Sequence, residues 1–198
     1  KLEEQFERLL EEQNLLQSDK VWCMCPCLIK GWDSAPFIFS PKTVQDPLKA
    51  LLRGRLRAYL HTMLGPTESL RRLGGFDPQF PRLQDLDFFI RFVAAGGQFV
   101  STRHDEPLSV YNKSIKTSDC ILLEISVINL WNKHQELFKK YGSRFARFQK
   151  AHLFHLPAVV SYKNGEYLSF IRYLARCFCI SPLWTLRHYY RKYTTRFR

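Results

Sequence analysis

Hydrophobic positions recur at helical spacing from the first residues. Leu2, Phe6, Leu9, Leu10 and Leu16 fall on one stripe, with Glu3, Glu4, Glu7, Glu11 and Glu12 elsewhere. That predicts an opening helix ending near Ser18-Asp19. Residues 21–29 read as a strand, which Pro26 confines to a sheet edge or to a strand end. Residues 31–47 are loop-like, punctuated by Pro36, Pro41 and Pro47, and 48–64 look helical, carrying Arg53, Arg55 and Arg57. A short helix over 67–73 stops at Gly74, a residue suited to the position just past a helix. From 84 to about 95 runs a helix that is apolar almost all round, closed by Gly96-Gly97. Residues 98–102 and 107–111 are extended. Ser118 then caps a long helix running to Tyr141 and ending at Gly142. Two or three further helices follow, past Pro157 and Pro182. The pattern is an α/β region, residues 1–117, followed by a helical region, residues 118–198.

Composition narrows this. A chain of 198 residues can bury one good core with an appendage. Hydrophobic content of 45% and aromatic content of 15% exclude a disordered chain. A net charge of +12 calls for an acidic partner: nucleic acid, an anionic membrane surface or a phosphate-bearing ligand. The charge is uneven. No acid occurs from Tyr167 to Arg198, where Arg172, Arg176, Arg187, Arg191, Lys192, Arg196 and Arg198 all lie. No apolar run reaches the ~18 residues that cross a bilayer, and nothing resembles a secretory signal. The six cysteines lack the look of a secreted scaffold, so a reducing cytoplasm is expected. The chain opens on Lys1 rather than Met and is expected to be a piece of something longer.

The apolar helix carries two acids near its start, Asp85 and Asp87. A helix apolar on every side is normally buried, and buried carboxylates are costly unless paired or in use. At about 100° per residue the two point in nearly opposite directions and do not form a carboxylate dyad. Asp87 has Arg91 four residues on, the favourable order for a helical ion pair. Asp85 has Phe88 and Phe89 as forward neighbours and no partner there. Two readings of Asp85 stand open: a first-turn acid facing the positive end of the helix dipole, or a base held beside a glycine turn.

The residues around it resemble a known family. The run Leu73-Gly74-Gly75-Phe76-Asp77, then Leu83-Gln84-Asp85-Leu86-Asp87-Phe88 with Arg91 following, is similar to the C-terminal, acceptor-side half of the family 2 glycosyltransferases. Lys1-Leu2-Glu3-Glu4-Gln5 looks like the helix start that follows that family's donor-site aspartates. Pro107-Leu108-Ser109-Val110-Tyr111 looks like the extended segment after its acidic helix. The match covers roughly residues 1–118. It implies part of a GT-A fold, a Rossmann-like α/β domain that transfers a sugar from a nucleotide-sugar with inversion. The acceptor would be a saccharide or lipid-linked, in polysaccharide or glycolipid assembly. The family's catalytic base falls on Asp85. Gly74, Gly75, Phe76, Asp77 and Gln84 would contact substrate, and Asp87 with Arg91 would support the site. One carboxylate suits a transferase, whereas a glycosidase needs a second to protonate the leaving oxygen.

Two departures accompany the resemblance. The family holds magnesium or manganese through an Asp-x-Asp motif before the opening helix, and none precedes Lys1. Some members carry a His after the Tyr of the extended segment, where this chain has Asn112, Lys113 and Ser114. The donor-binding half is therefore expected upstream, and the piece alone is expected to be inactive.

Other clusters read as structural. In Cys23-Met24-Cys25-Pro26-Cys27, alternate strand positions lie ~6.6 Å apart, too far for thiolates on one zinc. Cys177 and Cys179 read as packing residues. His104-Asp105-Glu106 reads as a solvated turn, His152 and His155 as helix packing, and Asn112-Lys113-Ser114 as a chance match to a glycosylation acceptor. Three readings of the basic C-terminal segment, with Trp184, Tyr189, Tyr190, Tyr193 and Phe197 interleaved, stay open. It is a solvated face, a surface lying on an anionic membrane from the cytoplasmic side, or, least favoured, a nucleic-acid interface. The alternative to an enzyme is thus a non-catalytic basic binding module.

Overall fold

In the computed structural model, residues 1–16, 20–31, 35–42, 44–56, 59–112 and 119–194 are described. Ser18, Asp19, Arg57, Lys113, Ser114, Ser118, Arg196, Phe197 and Arg198 lie outside that set, as do the side chains of Leu16, Arg191, Lys192 and Tyr193. The chain divides into two compact units. One comprises Lys1–Pro78 with Gln84–Ile115, the other Gln79–Leu83 with Lys116–Arg198.

The first unit is mixed α/β. Its helices are α1 (Leu2–Leu16), α2 (Pro47–Leu52), α3 (Thr67–Arg72) and α4 (Gln84–Ala94). Its strands are β1 (Val21–Met24), β2 (Cys27–Lys30), β3 (Phe37–Phe39), β4 (Met63–Leu64), β5 (Gln98–Ser101) and β6 (Ser109–Asn112). Two three-stranded sheets form, in the orders β4-β1-β5 and β3-β2-β6. In each, the central strand pairs parallel on one side and antiparallel on the other.

The expected strand over 21–29 is therefore two strands, both central. Pro26 sits at the break between them, where its missing N–H costs no ladder bond, and its carbonyl accepts from Leu108 N at 3.0 Å. The loop expected over 31–47 contains β3. The helix expected over 48–64 stops at Leu52, because Gly54 adopts φ 65° and turns the chain. A single 3-10 turn (Leu60–Thr62) and β4 follow.

α1 seats on the first sheet through Gln5 and Leu9, not through the whole apolar stripe. Gln5 is fully buried, and its Nε2 donates to Cys23 O at 3.0 Å and Thr62 O at 2.8 Å. Leu9 packs with Val21, Cys23 and Val100. Leu2, Phe6 and Leu10 stay exposed.

The second unit is helical: α5 (Cys120–Lys139), α6 (Ser143–Lys163), α7 (Tyr167–Ile180) and α8 (Pro182–Thr194). α5 is capped by Asp119, whose Oδ1 accepts from Ile121 N at 2.8 Å and Leu122 N at 3.2 Å. Gly142, with φ 96°, separates α5 from α6. α6 runs through Pro157 instead of breaking there. Pro182 opens α8 at the first helical position, which proline tolerates. No described helix is long and apolar enough to cross a membrane.

Candidate functional site

The segment from α3 to α4 is built around two glycines and one arginine. α3 closes with Gly74 N donating to Arg71 O at 3.0 Å and Gly75 N to Leu70 O at 2.9 Å. Gly74 and Gly75 adopt φ 74° and 68°. A Cβ on either would meet nothing within 4 Å, so conformation rather than space demands glycine there. Arg91, one full helical stretch later, reaches back to this turn. Its Nη2 donates to Gly75 O at 2.7 Å and its Nη1 to Leu73 O. Its Nε pairs with Asp87 Oδ2 at 2.9 Å. Asp87 is fully buried, so one desolvated carboxylate fixes a guanidinium that fixes two turn carbonyls.

α4 is held by rings. Phe88, Phe89 and Phe92 are fully or almost fully buried and surround Trp22 at centroid distances of 5.4, 6.0 and 5.8 Å. Trp22 Nε1 donates to Ser69 Oγ at 2.7 Å, which ties β1 to α3. Each such side chain is worth about 1.5–3 kcal/mol of burial, so the start of α4 is rigidly placed.

Asp85 stands on that rigid start in a different environment. It is half-buried, and its Oδ1 accepts from Leu86 N at 2.8 Å. Burial pushes its carboxyl above the ordinary carboxylate range, opposed by the backbone N–H groups of Leu86 and of Asp85 itself. No ion pair with a described cation engages it. Leu83, two residues earlier, is the non-glycine residue of the described chain with positive φ, at 60°. Such a conformation costs of order 1–3 kcal/mol and persists only where the surroundings impose it.

The remaining predicted residues are spread along the same segment. Phe76 is partly exposed with its ring 5.4 Å from that of Phe88, Asp77 is half-buried and Gln84 is exposed. Hydrogen bonds thus unite Asp87, Arg91, Leu73 and Gly75, whereas Asp85 and Gln84 stand outside that network. A cleft of about 460 Å³ in the same unit is lined by Met24, Lys42, Asp46, Leu56, Val93 and Phe99, among others, and by none of the predicted site residues.

One cluster escaped the sequence reading. Cys27 Sγ lies 3.3 Å from His61 Nε2, and the His61 ring stacks on Tyr111 at 5.1 Å and on Tyr59 at 5.6 Å. Burial, and secondarily the charge of Lys1, lowers the His61 pKa and favours the neutral ring. Three separate segments, β2, residues 59–61 and β6, supply these residues, so no spacing announces them. The other strand cysteines are inert by burial. Cys23 is pushed up to about 12 and Cys25 is also raised. Cys177 is buried and raised as well, whereas Cys179 is exposed.

Among the described residues, no three His, Cys, Asp or Glu side chains gather as a cation site would require. Comparison with known proteins finds no matching family model, no matching curated protein and no matching solved structure.

Proposed function

We propose that the chain is the acceptor-side portion of an inverting family 2-like glycosyltransferase of GT-A fold, with Asp85 as general base. The observation that carries this reading is the contrast between two acids on one rigid helix. Asp87 is consumed by Arg91, while Asp85, on the same helix, is half-buried, raised in pKa and without an ion pair among the described residues. A raised pKa strengthens the carboxylate as a proton acceptor. Asp85 would take the proton of the acceptor hydroxyl as that oxygen attacks the anomeric carbon. Gly74, Gly75, Phe76, Asp77 and Gln84 would shape the acceptor's place, with the Asp87–Arg91 pair holding the turn. A divalent cation would supply charge neutralisation for a departing nucleoside diphosphate. The described residues offer it no ligand set, so the steps assigned to them are proton transfer and positioning. The acceptor would be a saccharide or lipid-linked saccharide, with the enzyme in the cytoplasm and peripheral to the membrane.

The test is nucleoside diphosphate release from a panel of nucleotide-sugars with magnesium or manganese, using the chain joined to the coding sequence upstream of Lys1. Asp85→Asn is expected to lower kcat at least about 100-fold, the lower end for losing a general base, with donor affinity unchanged. Equal turnover in the variant removes Asp85 from the role.

A further inference from the structure

α7 and α8 carry an apolar surface that sugar transfer does not call for. α7 buries Tyr173 and Cys177 on one side, yet Leu168, Ile171 and Phe178 are 87%, 59% and 46% exposed on another. At about 100° per residue these three share one stripe. α8 repeats the arrangement. Leu183, Leu186, Arg187 and Arg191 recur at one constant offset from Leu168, Ile171, Arg172 and Arg176, and Leu183 and Leu186 are 64% and 63% exposed. Between the helices lies an open groove of about 690 Å³, lined almost wholly by apolar atoms, with Ile171, Phe178, Leu186 and Tyr190 on its walls.

The charge beside this stripe identifies its occupant. No Asp or Glu occurs after Glu166. Arg172 and Arg176 share a single carboxylate, Glu124, at 3.2 and 2.7 Å, so that group keeps a net positive charge. Arg187 is exposed on α8. A second copy of the chain would set cations against cations. Large apolar side chains flanked by arginine, with Tyr167 and Tyr190 exposed beside them, make up the composition of a helix lying in a membrane interface. Arginine stems can lie along apolar surface while their heads reach lipid phosphate. Neither helix is long and apolar enough to span the bilayer, so both would lie flat.

We propose that α7 and α8 form a docking surface for an anionic lipid bilayer, with Leu168, Ile171, Phe178, Leu183 and Leu186 at the acyl boundary and Arg187 among the headgroup phosphates. The proposal stands whether or not Asp85 is a catalytic residue.

It is tested by co-sedimenting the 198-residue chain with phosphatidylcholine vesicles made with and without phosphatidylglycerol. Binding is expected with the anionic lipid, weakening as salt rises. Leu186→Asp should reduce it about tenfold or more, as expected for exchanging an immersed leucine for a charge. Arg187→Glu should reduce it less, and mainly at low salt. Circular dichroism and thermal melts of both variants establish that the fold is kept. A second pair, Ile171→Ser and Phe178→Ser, serves if Leu186→Asp does not fold. Any of three results overturns the idea: no sedimentation with folded protein, equal binding to neutral vesicles, or unchanged binding in both apolar variants. It also falls if ultracentrifugation shows a dimer that Leu186→Asp dissociates while vesicles capture neither form. Retention on duplex DNA lost with Arg187→Glu but kept with Leu186→Asp, without vesicle binding, would overturn it in favour of nucleic acid.

Discussion

Asp87 and Glu124 are the carboxylates around which the two units arrange their arginines, and they do so in opposite senses. Asp87 is fully buried and its arginine turns inward, spending its other donors on the carbonyls of Leu73 and Gly75. Glu124 sits near the surface, taking Tyr173 Oη at 2.6 Å from below and Arg172 and Arg176 from the exposed side. In the α/β unit, charge fixes a backbone turn. In the helical unit, charge gathers cations beside an open apolar face. A buried pair is costly to break from one side, whereas exposed pairs contribute little, so the contrast carries unequal energies.

The largest effect should come from Arg91→Leu. It removes the cation from a desolvated carboxylate and frees two turn carbonyls, a loss of about 3–5 kcal/mol in urea unfolding. A loss under about 1 kcal/mol would mean the turn does not depend on the pair. Next is Tyr173→Phe, which deletes the one buried donor to Glu124. Burial, reinforced by that carboxylate, pushes the Tyr173 phenol up to about 12. The expected cost is about 1.5–3 kcal/mol, as for a hydrogen bond to a charged group. A cost matching Arg91→Leu would erase the distinction between the units.

The smallest effect is one of pH. In the helical unit the His155 ring contacts Trp184, His188 and Tyr189, and His152 contacts Trp184. Burial first, and the charge of His188 second, lowers the His152 pKa. The unfolded chain therefore binds the proton more readily. Stability is full above the ordinary value of about 6.5 and is lost as pH falls through it. Thermal melts from pH 7.5 to 5 should show a fall in Tm that is smaller in His152→Gln. An equal fall in both proteins removes His152 as the cause.

The α4 segment was legible because its signals are local: glycines at the turn, apolar residues almost all round the helix, and an acid four residues before an arginine. That the arginine also grips the turn was not legible, since its second role crosses eighteen residues. The misread stretches fail for equally local reasons. Residues 48–64 hold enough leucine and arginine to look helical, but Gly54 in the left-handed region ends α2. Asp119 supplies the cap of α5, one residue on from the expected Ser118, which lies outside the described residues. Gln5, named in the sequence only as part of the opening helix start, is the peg that joins α1 to β1. The grouping of Cys27, His61, Tyr59 and Tyr111 was beyond any spacing rule, because tertiary pairing alone assembles it.

The Leu73–Arg91 brace has a consequence for anyone wishing to move or redesign this stretch. Its parts are not separately exchangeable: lysine lacks the fork that grips two carbonyls, a Cβ at Gly75 strains the turn that presents one of them, and asparagine at 87 removes the countercharge. The segment is a cassette, transplantable between scaffolds only as a whole, and mutational tolerance within it should be read in combinations rather than one position at a time.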